Sequence, residues 1–104
     1  MNYRKNVNID AFYQIEGVPR PPRKGNILNI SSGGLGFRCF KSVNEKIGNV
    51  MLLSFVLPPR EEPIRVTGEI VRIISETGKD ITLGLRFKDL GEYEAMQIGF
   101  FLKP

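Results

Sequence analysis

The stretch Asn29-Ile30-Ser31-Ser32-Gly33-Gly34-Leu35-Gly36-Phe37 decides the fold prediction, because it joins two segments that both have the pattern of strands. Its small residues and the conformational freedom of glycine favour a tight turn at Ser31 to Gly34. Apolar residues at 27, 28 and 30 predict the strand before it. Alternating apolar residues over 35–40 predict the strand after it, with one face buried.

The same period-two alternation recurs on both sides of this turn. Residues 9–16 predict a first strand, and residues 17–25, rich in proline and glycine, predict a loop. Residues 50–57 predict a strand buried on both faces that ends at Pro58-Pro59, because proline cannot donate to a β-ladder.

Two more strands are predicted at residues 64–74 and 81–88, with a loop at 76–79 between them and a bulge near Gly68. Five or six short strands with intervening turns favour an antiparallel barrel or sandwich.

The C-terminal segment has a helical pattern. Asp89 with Glu92 three residues later has the form of a capping box and predicts that the helix opens there. One side of this helix carries four apolar side chains, which we expect to pack against an end of the barrel: Tyr93, Met96, Phe100 and Phe101.

Composition predicts one soluble, cytoplasmic domain spanning residues 1–104. The chain is 41% hydrophobic and 25% charged, which is ordinary for a globular domain. Cys39 is the single cysteine, so no disulfide can form within the chain. The N-terminal residues lack the apolar run of a secretory signal, and the longest apolar run, residues 50–57, is too short to span a bilayer.

The net charge of +4 favours an anionic partner. Cations are concentrated in the first quarter of the chain, where the only acids are Asp10 and Glu16: Arg4, Lys5, Arg20, Arg23 and Lys24. Such a cluster is also compatible with a solvated face that only keeps the protein in solution.

Residues suited to catalysis are scarce, and we expect no enzyme, metal site or cofactor. The chain has no histidine, and Cys39 has no basic residue beside it. Glu61-Glu62 follows the two prolines in a predicted turn, where paired carboxylates are usually solvated.

The spacing Asn29-x-Ser31-x-x-Gly34 resembles the D/N-x-S-x-x-G motif of PilZ domains, which are bacterial regulatory modules. Residues 68–72 and 83–87 resemble later strands of that family, and the helix after Asp89 stands where the family has one. The resemblance covers nearly the whole chain. It implies a six-stranded antiparallel β-barrel with a C-terminal helix, and cyclic di-GMP as the ligand.

The resemblance also implies a binding site for that ligand. In the family, an R-x-x-x-R segment before the first strand clasps cyclic di-GMP, and here Arg4 takes the first arginine position and Asn8 the second. Asn8 carries no charge, so it cannot replace the two parallel hydrogen bonds that an arginine donates to a phosphate. Lys5 offers a point charge that partly compensates.

The motif turn supplies the other implied contacts. Guanidinium groups can fork onto phosphate or a guanine edge, and the amide of Asn29 can meet guanine's polar edge beside the hydroxyl of Ser31. Gly34 is expected to let the backbone approach the ligand. The same residues would also form a plain hairpin turn.

Three functions follow from these observations. The first is a cyclic di-GMP receptor that changes its surface to engage a protein partner, which the intact motif favours. The second is a degenerate adaptor that acts only by protein contact, which Asn8 favours. General nucleic-acid binding is disfavoured, because Phe12, Arg38 and Phe40 fall on different strands and form no stacking row. The regulated process, whether motility, pilus function or exopolysaccharide output, is left open.

Overall fold

The computed structural model describes residues 3–104, which form six strands and one helix. In chain order these elements are β1 (Lys5–Ile15), β2 (Arg23–Ile30), β3 (Gly34–Phe40), β4 (Val50–Phe55), β5 (Ile64–Thr77), β6 (Asp80–Phe87) and α1 (Glu92–Leu102). Neighbouring strands are antiparallel in the order β1-β2-β3-β6-β5-β4, and β4 also pairs with β1. The predicted six-stranded antiparallel barrel with a C-terminal helix is confirmed.

Although residues 71–77 of β5 are exposed at every position, each strand contributes alternate inward-pointing residues to the core of the barrel. Phe37, Met51 and Leu83 are fully buried there, and the rings of Tyr13 and Phe37 meet edge to face with their centroids 5.2 Å apart. Closure removes the free strand edges that an open sheet would expose. The fold therefore rests on one continuous apolar core whose residues come from all six strands.

Strand β1 begins four residues earlier than the alternation predicted. Lys5 and Asn6 already pair with Ile30 and Asn29 of β2, so the segment expected to precede the strand is part of it. Strand β2 likewise begins at Arg23, inside the predicted loop, because it pairs there with Tyr13.

Strand β4 is buried on one face only, so the expectation of two buried faces was wrong. Met51 and Leu53 point inward, whereas Leu52 is 41% exposed. The reason is that β4 belongs to a closed barrel, in which the second face of a strand points outward.

The predicted bulge lies in β5, but it is displaced from Gly68. The register between β5 and β6 shifts between Ile70 and Arg72 and again between Ile73 and Ser75. Gly68 instead lets β6 approach closely, since a Cβ there would lie 3.2 Å from Cβ of Leu85.

The capping box prediction was wrong. Helix α1 begins at Glu92 with Gly91 as its N-cap and no capping side chain, and Asp89 has a left-handed φ of 52°. The helix is also rotated from the expected orientation, because it packs through Gln97, Ile98 and Leu102.

Only one of the four side chains expected at the barrel end packs against the core. Phe101 is partly buried, while Tyr93, Met96 and Phe100 are each more than half exposed. Helix α1 is not long and apolar enough to cross a membrane, and no other helix is present in residues 3–104.

The core holds two titratable groups that face each other. Tyr13 and Cys39 are both 4% exposed, and burial raises the pKa of the Cys39 thiol to about 12. Burial also raises the pKa of the Tyr13 phenol, and the neighbouring Cys39 adds to that shift. Both groups are therefore neutral in the folded protein, and Cys39 is an inert core residue.

We expect stability to fall at alkaline pH. A raised pKa stabilises the fold below the unfolded value of 9.0 for the thiol, and that contribution is lost as pH rises from 9.0 towards 12. The loss should reach about 1.4 kcal/mol per pH unit for each titrating group. Urea unfolding between pH 8 and 11 should give a shallower decline for Cys39→Val, in which Tyr13 is the remaining member of the buried pair. Equal slopes for the two proteins would contradict this account.

Candidate functional site

The turn between β2 and β3 is held by its own hydrogen bonds. The Ser31 amide donates to the Gly34 carbonyl at 2.9 Å, and the Ser31 hydroxyl donates to the same oxygen at 3.3 Å. That hydroxyl also accepts from the Gly33 amide at 3.3 Å. The Phe87 amide donates to the Gly33 carbonyl at 2.9 Å, which fixes the turn to β6. Ser31 is only 5% exposed, so its side chain maintains the turn from within.

Gly34 is required by the packing of β3 against β6. It pairs with Arg86 across the two strands, and a Cβ at this position would lie 2.0 Å from the carbonyl oxygen of Leu85. The sequence interpretation assigned this glycine to close approach of a ligand. The contact with Leu85 is a sufficient reason by itself.

A row of residues in register crosses the outer face of the barrel beside this turn. It runs over five strands, each residue paired with the next: Asn6, Asn29, Gly36, Gly84 and Arg72. Because Gly36 and Gly84 carry no side chains, the middle of the row is a flat floor of backbone.

The two polar neighbours lean over this floor from opposite sides. A Cβ at Gly36 would lie 2.6 Å from Nδ2 of Asn29, and one at Gly84 would lie 3.5 Å from Cβ and 3.7 Å from Nε of Arg72. A Cβ at Gly36 would therefore displace the Asn29 side chain, whereas one at Gly84 would make ordinary contact with Arg72.

A groove of about 440 Å³ lies over this floor, and we call it the glycine groove. Its cations are Arg4, Arg72 and Arg86, all exposed, and its backbone surface includes the Ser31 to Gly34 turn. Arg86 forms an ion pair with Glu69 at 3.2 Å, which solvent screens because Arg86 is largely exposed. Three guanidinium groups around a flat floor make a surface suited to an anion with planar rings.

Asn29 has an unused hydrogen-bonding atom. Its Oδ1 is shielded from water and accepts no hydrogen bond from any residue between 3 and 104. An unsatisfied buried acceptor costs about 1–3 kcal/mol. A donor placed over Gly36 by a ligand would relieve that cost.

The structure separates the residues that the sequence grouped into one site. Arg4, Ser31 and Gly34 line the glycine groove, and Asn29 lies at its floor, but Lys5 and Asn8 do not line it.

Lys5 and Asn8 have other partners. Nζ of Lys5 donates to the Phe101 carbonyl at 3.2 Å and lies 4.3 Å from the centre of that ring. Oδ1 of Asn8 accepts from Nδ2 of Asn26 at 3.3 Å on the outer face of β1. Lys5 and Asn8 point to opposite sides of β1. Both belong to this strand, in which side chains alternate between the two faces, and they are three positions apart.

Sequence reasoning missed Arg72 and Arg86 as members of the site. Both lie in the segments 68–72 and 83–87 that resembled the family, and the alternation of β6 already placed Arg86 outward. Their position beside the motif turn depends on the long-range pairing of β6 with β3 and β5, which one sequence does not reveal. No cluster of His, Cys, Asp or Glu suited to a metal ion occurs within the described part of the chain.

Comparison with known proteins gives a family match and similar folds. The model of the PilZ domain family matches residues 1–103. No curated protein matches the sequence.

Three solved structures share the fold at low sequence identity. The inhibitor of motility MotI (DgrA) of Bacillus subtilis has a TM-score of 0.78 at 16% identity, covering 98% of this chain and 48% of MotI, so the chain spans about half of that protein. The PilZ domain of YcgR from Escherichia coli, solved with c-di-GMP, has a TM-score of 0.73 at 13% identity, covering 97% and 86%. The PilZ domain of CeSA from a cellulose-synthesizing bacterium has a TM-score of 0.69 at 11% identity, covering 95% and 93%.

We predict that Gly34→Ala destabilises the fold. The new Cβ would collide with the Leu85 carbonyl, a backbone atom that can move only by distorting β6. Overpacking of this kind costs about 1–3 kcal/mol, which chemical denaturation would measure. Gly99→Ala is the control, because nothing lies within 4 Å of its Cβ and alanine favours a helix. A neutral Gly34→Ala would show that the close contact is not a constraint.

Proposed function

The chain belongs to the PilZ domain family, and on that basis we propose that it is a cyclic di-GMP receptor acting on a protein partner, a binding module and not an enzyme. The observation that carries the proposal is the glycine groove, in which three arginines surround a flat floor next to the motif turn. The PilZ domain of YcgR, whose fold is similar, was solved with c-di-GMP, which supports the same ligand class here.

The chemistry of the ligand fits the groove. Cyclic di-GMP presents two phosphates and two flat guanines. A guanine can lie over Gly84 and beside the Asn29 side chain that covers Gly36, because no Cβ at Gly84 lifts it from the backbone. Arg72, whose side chain crosses Gly84, can stack on that ring or fork onto its Hoogsteen edge. Arg4 can fork onto a phosphate.

The remaining predicted site residues divide by role in this proposal. Asn29 can meet the guanine edge once its carboxamide turns outward, because its Oδ1 has no donor among residues 3–104 but is shielded from solvent as it stands. Ser31 and Gly34 act indirectly by holding the turn. Arg72 takes the place of the second clasp arginine, since Lys5 is bonded to α1 and Asn8 to Asn26.

The alternative is a PilZ adaptor that does not bind the nucleotide and acts through protein contact alone. It is favoured by Asn8, which stands in the second arginine position and is hydrogen-bonded within the barrel surface. A titration with cyclic di-GMP separates the two functions. In either case we propose that the domain works in the cytoplasm.

Replacing Arg72 is the most direct test of the site. Isothermal titration of the purified domain should show cyclic di-GMP binding and no GTP binding. Arg72→Ala and Arg4→Ala should each weaken binding about 10- to 100-fold, the effect of losing a charge-assisted contact of about 1.5–3 kcal/mol.

The matched control is Arg65→Ala, which removes the same charge from an exposed position on the same strand outside the glycine groove. If Arg65→Ala and Arg72→Ala lost the same affinity for cyclic di-GMP, the effect would come from the net charge of the domain and not from a contact at Arg72. Absence of any binding would favour the adaptor.

Salt should weaken binding if the arginines contact the phosphates. Raising sodium chloride from 50 to 500 mM screens charges on the protein surface, so the dissociation constant should increase several-fold. The increase should be smaller in Arg4→Ala, because fewer charged contacts remain to be screened. A dissociation constant that is independent of salt in the unmodified protein would remove these cations from the site.

A further inference from the structure

A second groove lies between helix α1 and the turn that follows β4. It has a volume of about 510 Å³. The residues that characterise it are Lys5, Pro58, Pro59, Arg60, Gln97 and Phe100, and we call it the helix groove. It shares no lining residue with the glycine groove.

Gln97 is a buried polar residue that the fold does not satisfy. It is 5% exposed on the inner side of α1, and its Oε1 accepts no hydrogen bond from residues 3–104. An unsatisfied buried acceptor is destabilising, and an apolar residue would fill the same position without that penalty. The terminal torsion of glutamine is soft, so its carboxamide can turn towards a donor in the groove.

The exposed side of the groove is apolar. Phe100 is 55% exposed, and Tyr93 and Met96 lie on the same helical side with similar exposure. These are the residues that were expected to pack on the barrel. Pro58 and Pro59 form the opposite wall and have no N–H groups to satisfy.

The charge at the groove is positive. Lys5 and Arg60 are among its lining residues, which include no Asp or Glu within the described chain. Nζ of Lys103 lies 5.1 Å from the centre of the Phe100 ring and adds a third cation at the edge. Arg60 forms no ion pair with any residue between 3 and 104. Glu61 and Glu62 follow Arg60 in the chain but do not line the groove, so the charges of its lining complement an acidic occupant.

We propose that the helix groove binds an acidic segment of a partner protein that carries a large apolar side chain. The apolar side chain packs between Phe100 and the two prolines, and carboxylates meet Arg60 and Lys103. A backbone N–H donates to Oε1 of Gln97, which satisfies that acceptor. A peptide fits better than an anionic membrane, because its few carboxylates can meet Arg60 and Lys103 without approaching Glu92 and Glu94 in the first turn of α1, whereas a continuous layer of acidic headgroups would meet those carboxylates too.

A peptide selection tests this surface without knowledge of the natural partner. A displayed library of random 12-residue peptides is selected on the intact domain, and the dissociation constants of the enriched peptides are measured by fluorescence polarisation. Enriched sequences should combine acids with an aromatic residue or leucine. Enrichment of basic peptides, or of none in parallel with a successful selection on a known peptide-binding domain, overturns the proposal.

Matched variants locate the binding. Phe100→Ser and Arg60→Glu should each weaken the peptides at least tenfold. Phe40→Ser and Arg38→Glu should leave them within twofold, since Phe40 is 57% exposed and both controls lie on β3 outside the helix groove. Peptides that bind every variant equally, or that lose affinity in the controls to the same extent, overturn the proposal.

Gln97→Met distinguishes a recognition role from a structural one. Methionine matches the shape of glutamine and removes the unsatisfied oxygen, so the melting temperature should stay the same or rise while peptide affinity falls. A lower melting temperature with unchanged affinity overturns the assignment of Gln97.

The test of the helix groove does not depend on whether the domain binds cyclic di-GMP. Phe100→Ser and Arg60→Glu should bind cyclic di-GMP as the unmodified domain does, and Arg72→Ala should bind the peptides as the unmodified domain does. Peptides that lose affinity in Arg72→Ala but not in Arg60→Glu occupy the glycine groove, which overturns the proposal.

Discussion

The close approach of β3 and β6 is the constraint on which the rest of the structure depends. These strands are far apart in the sequence, and their pairing joins the β1-β2-β3 meander to β5 and β4. Gly34 makes the approach possible, since the Leu85 carbonyl occupies the space that a Cβ would need. The same pairing places Gly36 opposite Gly84 and brings Arg72 and Arg86 to the motif turn. Barrel closure and the candidate site therefore have one origin.

The contact between β3 and β6 changes what the motif Asn29-x-Ser31-x-x-Gly34 indicates about the protein. Of its three fixed residues, Ser31 hydrogen-bonds within the turn and Gly34 packs against β6. Only Asn29 has a free hydrogen-bonding atom near the groove. A match at Ser31 and Gly34 thus reports that the turn and the barrel form, whether or not a ligand binds. The arginines around the floor carry more information about binding than the motif itself does.

The strands could be predicted from the sequence because alternation reports which face of a strand is buried. Strand β6 shows this well, with Ile81, Leu83 and Leu85 inward as expected. The start of β1 could not be predicted, because Lys5 and Asn6 are polar and their partners, β2 and the Phe101 carbonyl, are distant in the sequence. The predicted orientation of α1 was wrong for a related reason. Aromatic residues mark hydrophobicity but do not decide which side of a helix the barrel covers.

The position of some candidate site residues followed from the sequence for the same physical reasons. Arg4, Asn29, Ser31 and Gly34 are close in the sequence to the turn or the strand start, and the structure keeps them at or beside the groove. Arg72 and Arg86 come from strands that meet the turn only in three dimensions. Asn8 was misplaced by assuming a free segment before β1, where the chain is already paired.

Arg4 and Lys5 are neighbours in the chain, yet each lines a different groove. Their Cα atoms are separated by one planar peptide unit of about 3.8 Å, which has no soft torsion at its centre. The two side chains turn about their own torsions, so each can adjust to the groove that it lines. The ammonium of Lys5 is held on the Phe101 carbonyl, so the two grooves lie one residue apart in the chain and each has a cation of its own.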